Sequence, residues 1–288
     1  MTWLIFALLN AILESAKDVL SKKSLKVVDP LLVSWSMWFY ATPVLAILLA
    51  FEEIPEIKDG FYTLLILDGV LDTLGVVLFI RALRASDLSL VAPIVAFTPL
   101  FMLVTAPLIS GEHPSLLGVT GVLLIVVGSY ILNLSKNSDG FFGPLKAILS
   151  QEGPRLMLQT AFVWSFTANI HKVGMQTASP IFWGACVFGV VSLFLTIIVF
   201  LNKRINPVNL LKQTYKTSPI GLIYGTAGVC FFLATASGLV TYVISVKRTS
   251  SVFNVLMGHY LFKEPGLKER LSAVLLMVAG VVCITFGN

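Results

Sequence analysis

Charge is scarce in this chain: Asp, Glu, Lys and Arg together make up 12% of its 288 residues, against roughly 25% in an ordinary soluble domain. A soluble fold of this length needs a polar surface that such a composition does not supply. Most of the surface must therefore face lipid, in keeping with 57% hydrophobic residues and a mean hydropathy of +0.90. Cysteine is nearly missing. Cys186, Cys230 and Cys283 stand singly inside apolar runs, which excludes a disulfide framework or a paired-cysteine metal site. The histidines, His113, His171 and His259, are scattered and form no HExxH pair. A GxSxG elbow and a GxxxxGK(S/T) phosphate loop are also lacking, which argues against a hydrolase and against an ATP-driven pump. No catalytic residue, metal or cofactor is expected. The net charge of +5 is small and belongs to loops at a membrane surface, with no nucleic acid implied.

What the chain has is apolar length. A membrane span needs about 20 mostly apolar residues, and such runs fall near 3–20, 31–51, 61–83, 87–110, 114–134, 155–174, 180–201, 217–236, 239–262 and 267–286. The opening MTWLIFALLNAILES lacks a basic leader and a small-residue cleavage site, so it reads as the first span rather than a removable signal. Most loops are very short. Only 135–154 and 202–216 could hold more than a turn, and Lys136, Asn137, Ser138, Asp139 and Gly140 give the first of these a turn-forming composition.

The runs repeat. Shifted by 152 residues, the stretch 82–132 falls on 234–284, placing Ala82 on Ala234, Phe101 on Phe253, Glu112 on Glu264 and Gly128 on Gly280. Leu and Val coincidences mean little between apolar helices, but a glutamate closing one run with a glycine sixteen residues later is harder to match by chance. At a shift of 150, Leu8, Ala11, Ser15, Lys22 and Pro30 fall on Leu158, Ala161, Ser165, Lys172 and Pro180. The reading is an all-α integral membrane protein of ten transmembrane helices in two five-helix repeats, 1–134 and 155–288, joined by a linker over 135–154. Five spans per repeat is an odd number, so the second repeat inserts inverted relative to the first.

Loop charge sets the orientation. One side carries Lys22, Lys23, Lys26, Arg81, Arg84, Lys136, Lys146, Arg155, Lys203, Arg204, Lys212, Lys216, Lys263, Lys268 and Arg270. The side bearing both termini has only Lys58 and Lys172. Both termini are therefore expected outside the cytoplasm.

Ionisable residues within a span cost about 2.5–3.5 kcal/mol each on insertion scales and default to functional candidates. Glu14, Lys17 and Asp18 share one face of the first span, with Glu14 able to neutralise Lys17. Asp68 and Asp72 share a face of the third, and Asp72 lies about 16 Å along it. Lys247 and Arg248 stand in the ninth. Because each sign is costly alone in lipid, Asp72 and Arg248 (or Lys247) are expected to face each other or a wet cavity, where a zwitterionic solute would fit. In the sixth span Trp164 is a candidate cavity liner, with Ser165 and Asn169 within about one turn. His171 and Lys172, at its end, read as interfacial residues that snorkel. Glu112 and Glu264 read as braces for short turns. Trp35, Trp38, Tyr40 and Trp183 fit interfacial aromatic belts equally well. Pro93, Pro99 and Pro107 suggest a kinked cavity wall, and Gly118, Gly121 and Gly128 suggest close helix approach.

These features together resemble the EamA-type drug/metabolite transporters. The resemblance rests on ALRASDLSLVAPIVAFTPLF through GEHPSLLGVTGVLLIVVGSY, on YVISVKRTSSVFNVLMGHYLFKE through LMVAGVV, and on SKKSLKVVDP after the first span. It covers essentially the whole chain. It implies a multi-pass protein of the cell (inner) membrane with a central cavity, alternating access, and export or exchange of amino acids, other metabolites or drugs. AILES around Glu14 also resembles the first helix of small multidrug-resistance proteins, which implies protons as a coupling ion at Glu14. The reading is a secondary transporter of small organic solutes, with Glu14, Asp68, Asp72, Trp164, Asn169, Lys247 and Arg248 as its site residues. A non-transporting membrane scaffold or receptor is the alternative, and an intramembrane enzyme is the next.

Overall fold

In a computed structural model the described residues are 2–25, 27–86, 88–134, 141–202, 214–262 and 271–287, all of them helical or in short connections. The helices are α1 Thr2–Ser24, α2 Pro30–Leu49, α3 Phe61–Ala85, α4 Leu88–Val95, α5 Thr98–Ile109, α6 Leu116–Asn133, α7 Gly143–Ser150 and α8 Glu152–Gly174. They continue with α9 Pro180–Leu201, α10 Ser218–Ser237, α11 Val240–Lys247, α12 Ser250–Phe262 and α13 Leu271–Phe286. By length and composition α2, α3, α9 and the stretch Tyr215–Ser237 are long and apolar enough to cross a membrane, and Pro93–Ile109, Leu116–Leu132 and Leu271–Phe286 are shorter apolar helices. The chain is an all-helical integral membrane protein.

Local sequence explains where helices start. Pro30 opens α2, where its missing N–H costs nothing, and the Asp29 carboxylate accepts the Leu31 N–H at 2.8 Å. Ser115 and Ser179 cap α6 and α9 through Gly118 N–H at 3.1 Å and Phe182 N–H at 3.2 Å.

Two of the apolar runs are not continuous helices. The run 87–110 is divided at Ala96–Phe97 into α4 and α5. Pro99 has no N–H to offer the Val95 carbonyl, and the Thr98 hydroxyl donates to that carbonyl at 2.9 Å instead. The run 239–262 is divided at Arg248–Thr249 into α11 and α12, without any proline. There the Thr249 hydroxyl donates to the Val246 carbonyl at 2.7 Å, the same three-residue step back. The 152-residue shift puts Ala96 on Arg248 and Phe97 on Thr249. The interruptions are thus equivalent positions of the repeat.

The segment read as a linker is partly helical, since α7 occupies Gly143–Ser150 and α8 begins at Glu152. Residues 135–140, Glu264, Lys26, Lys203, Arg204, Lys212, Lys263, Lys268 and Arg270, named above, lie outside the described residues, as does the side chain of His259.

The two halves interleave. The most extensive helix pairings are α6 with α13, α3 with α8, α1 with α10, α2 with α10 and α2 with α9. Each joins one half to the other. Under the repeat α1 corresponds to α8 and α3 to α10, so the α1–α10 and α8–α3 seams are one interface used twice. The α2–α9 and α6–α13 seams pair equivalent helices with each other, as a two-fold relation requires. In the α6–α13 seam Gly121 and Gly280 bring backbones together: a Cβ on Gly121 would stand 2.6 Å from the Gly280 carbonyl oxygen. That is the close approach small residues permit in lipid. On the basic face Arg84 clamps both carboxylate oxygens of Asp29 at 2.7 and 2.8 Å, tying the end of α3 to the start of α2.

Candidate functional site

Three polar clusters occupy the seams between the halves. The cluster nearest the termini is built on Lys172, in the last turn of α8. Its ammonium lies 3.1 Å from Glu112 Oε1 and donates to the Thr235 and Gly238 carbonyls at 2.6 and 2.9 Å. The other Glu112 oxygen accepts the Val240 N–H at 2.7 Å, which caps α11. Glu112 thus braces a turn, while Lys172 does not snorkel outward: it bridges the α5–α6 and α10–α11 turns.

The second cluster lies one step inward. Asp68 is 0% exposed, Asp72 5% and His171 8%. His171 faces a carboxylate with each ring nitrogen, Nδ1 lying 3.3 Å from Asp68 Oδ2 and Nε2 lying 3.5 Å from Asp72 Oδ2. The indole N–H of the fully buried Trp183 donates to His171 Nδ1 at 3.3 Å. The rings of Phe231 and Phe232 close the other sides, with centroids 5.9 and 5.5 Å from the imidazole. Among the described residues neither carboxylate oxygen of Asp68 has a hydrogen-bond partner. The interfacial placement expected of His171 is therefore corrected: α3 and α8 pack along their length and carry the ring to the two aspartates. Among the described residues this is the set that brings three possible metal donors together, their ligand atoms lying within 4.8 Å of one another. Each imidazole nitrogen, however, turns to a different carboxylate. The three groups therefore stand in a row, aspartate–imidazole–aspartate, rather than with all donors turned to one point.

The third cluster surrounds Glu14. Lys17 donates to Glu14 Oε2 at 2.5 Å, and Lys247 lies 2.7 Å from Oε1, so both oxygens are held by ammonium groups. Lys17 also lies 3.2 Å from Asp18, whose other oxygen accepts the Asn254 amide at 3.0 Å. Asn254 in turn accepts the Ser15 hydroxyl at 2.7 Å. Each lysine also sits over an aromatic ring, Lys17 above Tyr224 at 5.4 Å and Lys247 above Phe231 at 5.6 Å. Phe231 therefore borders both this cluster and His171.

Arg248 stands at the helix interruption beside these residues and donates through Nη2 to the Thr98 hydroxyl at 2.9 Å. This bond joins the break in one half to the break in the other. Arg248 Nε is buried and has no hydrogen-bond partner among the described residues. The anticipated facing of Asp72 and Arg248 does not form: His171 takes the aspartate, and Lys247 takes Glu14.

Asn169 and Trp164 are engaged elsewhere. Asn169 is fully buried, donates to Thr105 Oγ1 at 3.0 Å and to the Ser165 carbonyl at 2.6 Å, and accepts from Ser110 Oγ at 3.1 Å. It ties α8 to α5. The Trp164 indole lies over Gly75, where any Cβ would collide with it, and against Phe79 with centroids 5.6 Å apart. That is a helix-packing role between α8 and α3. The partner that sequence reasoning missed, His171, carried no signal beyond standing next to a lysine at the end of a span.

Comparison with known proteins bears on this arrangement in three ways. The model of the EamA-like transporter family matches residues 1–134 and again 153–286, so the same family unit occurs twice. No curated protein matches. A solved structure described only as the crystal structure of a protein is similar over 98% of this chain and 97% of its own, with a TM-score of 0.75 and 15% sequence identity. At that identity the likeness concerns the fold alone.

Proposed function

The chain belongs to the EamA-like transporter family, and on that premise we propose that it is a secondary transporter of small organic solutes bearing a carboxylate, amino acids foremost. It acts by alternating access between the two repeats, which are inverted relative to each other. The α4–α5 and α11–α12 pairs each form one interrupted span, giving ten spans in the cell (inner) membrane with both termini opposite the cytoplasm.

One observation carries the reading. Interrupted helices stand at equivalent positions of the two repeats and meet through the Arg248–Thr98 hydrogen bond. In transporters built from repeats, discontinuous helices in corresponding positions mark the solute site. Arg248 supports the carboxylate preference because its guanidinium keeps a buried N–H without a hydrogen-bond partner among the described residues, and a planar fork matches a carboxylate in two places at once. The lysines of the Glu14 cluster are committed to Glu14 and Asp18. They hold α1 against α11 beside the break rather than presenting free charge.

The test is solute binding followed by flux. Purified protein is screened by thermal shift against amino acids, their decarboxylated amines and cationic drugs, and hits are assayed as ATP-independent flux into proteoliposomes. Saturable flux of carboxylate-bearing solutes, abolished in Arg248→Gln, is expected. Flux confined to amines or cationic drugs, or unaltered by Arg248→Gln, overturns the reading.

A further inference from the structure

Donors and acceptors around His171 do not balance with three ordinary ionised or neutral groups. The Trp183 indole can only donate, so His171 Nδ1 accepts its hydrogen. The proton of the neutral ring then sits on Nε2, directed at Asp72. Among the described residues nothing is left to donate to Asp68, which is 0% exposed and has neither oxygen hydrogen-bonded. An ionised carboxylate so enclosed would carry a large uncompensated cost. The wider charge count agrees. Glu14, Asp18, Asp68 and Asp72 are four carboxylates, and Lys17, Lys247 and Arg248 are three permanent cations. One proton brings the set to neutrality.

We propose that Asp68 is a proton-binding site of this protein, exchanging its proton with Asp72 through the imidazole of His171. In the step the Asp68 O–H bond breaks as a new N–H bond forms at Nδ1. At the same time the Nε2–H bond breaks and its proton joins Asp72. The ring stays neutral throughout and ends as the opposite tautomer, while Asp68 becomes a carboxylate and Asp72 an acid. The Trp183 N–H loses its acceptor in the second state, so this indole favours the proton on Asp68 at rest. The groups facing the ring are Asp68 and Asp72 from α3, Trp183 from α9, and Phe231 and Phe232 from α10. Lys247 of α11 also packs on Phe231, and it is followed by Glu14 and Lys17 of α1 with Tyr224 of α10. Lys247 stands nearest on that side and, as a fixed cation, favours the ionised form of whichever aspartate gives up its proton.

Glu14, the residue on which a proton-coupling role was expected, is a poorer carrier. Two ammonium groups hold its oxygens, and they would have to be left unpaired for it to accept a proton. Only the use of the Asp68 proton as a coupling ion rests on the transporter reading; its presence does not.

Infrared spectroscopy tests the site without any solute. The purified protein in detergent should show the C=O stretch of a protonated carboxylic acid above the amide I band, shifted in deuterium oxide. Asp68→Asn, a neutral isostere of the acid, should fold and lose that band. His171→Phe, which keeps ring volume but no nitrogen, should retain the band and slow its deuterium shift at least tenfold. A band that persists in Asp68→Asn overturns the proposal. So does a missing band accompanied by about one equivalent of metal per chain that disappears in Asp68→Asn, which would make the cluster a metal site. An unaltered exchange rate in His171→Phe removes the imidazole from the path. Flux assays then separate this inference from the transport reading: failure of every solute tested leaves the infrared result standing, and a wild-type protein without the band can still show saturable solute flux.

Discussion

Lys172 Nζ and Glu112 Oε1 lie 3.1 Å apart and join the last turn of α8 in one repeat to the α5–α6 turn of the other. Both side chains also hold backbone at the α10–α11 connection, Lys172 through two carbonyls and Glu112 through the Val240 N–H. The contact therefore fastens three connections on the termini-bearing side with a single ion pair.

Removing either partner leaves the other charge beside backbone groups it alone cannot satisfy. Lys172→Met and Glu112→Gln are each expected to lose about 1.5–3 kcal/mol, the scale of a hydrogen bond to a charged group. The double variant should lose clearly less than the sum of the two. Thermal unfolding of the four proteins in detergent measures this coupling, and strict additivity would mean that the two side chains act independently.

Glu14→Gln should behave as a stability variant first. It strips a shared carboxylate from Lys17 and Lys247, and breaking a buried pair costs about 3–5 kcal/mol. Adding Lys247→Met should restore part of the loss, because it removes one orphaned charge. A Glu14→Gln protein that unfolds at the wild-type temperature yet no longer accumulates solute under a pH gradient would return the coupling role to Glu14.

Arg248→Lys keeps the charge and loses the fork. Solute affinity is expected to fall about tenfold, equivalent to about 1.4 kcal/mol, with little loss of stability because among the described residues the side chain makes one hydrogen bond to protein, at 2.9 Å to Thr98. Titration of a carboxylate-bearing solute by thermal shift reads both quantities together. Equal affinity in Arg248→Lys would show that any cation suffices there.

Gly121→Leu forces side-chain volume into the α6–α13 seam and should destabilise by about 1–3 kcal/mol or more. Gly189→Ala is the control: a Cβ there meets nothing within 4 Å, and removing a helix glycine gains up to about 1 kcal/mol. Equal melting temperatures for the two variants would mean that the seam is looser than its backbone contact indicates.

Much of this was legible in the sequence. The helical class followed from composition, and the repeat from a few polar landmarks in apolar surroundings. Pro99 foreshadowed the first interruption. The second was invisible because it lacks proline and is made by Arg248, Thr249 and backbone geometry. Asp68 and Asp72 stood out by spacing, but their partner lies about a hundred residues away on a helix of the other repeat, and no local pattern can connect them. Asn169 illustrates the converse. A buried amide looks like a binding group until all its hydrogen bonds are found to close on protein.

A ribosome delivers the first repeat to the membrane while the surfaces it needs are still unmade. Because α1, α2, α3 and α6 find their main partners in the second repeat, the early helices must wait in the bilayer, side by side with lipid or insertion machinery, α3 until α8 emerges and α6 until α13 does. The seating of α13 on α6 is then a late step of assembly, and a chain that stalls before it leaves a glycine-lined stripe exposed to whatever other helix drifts past.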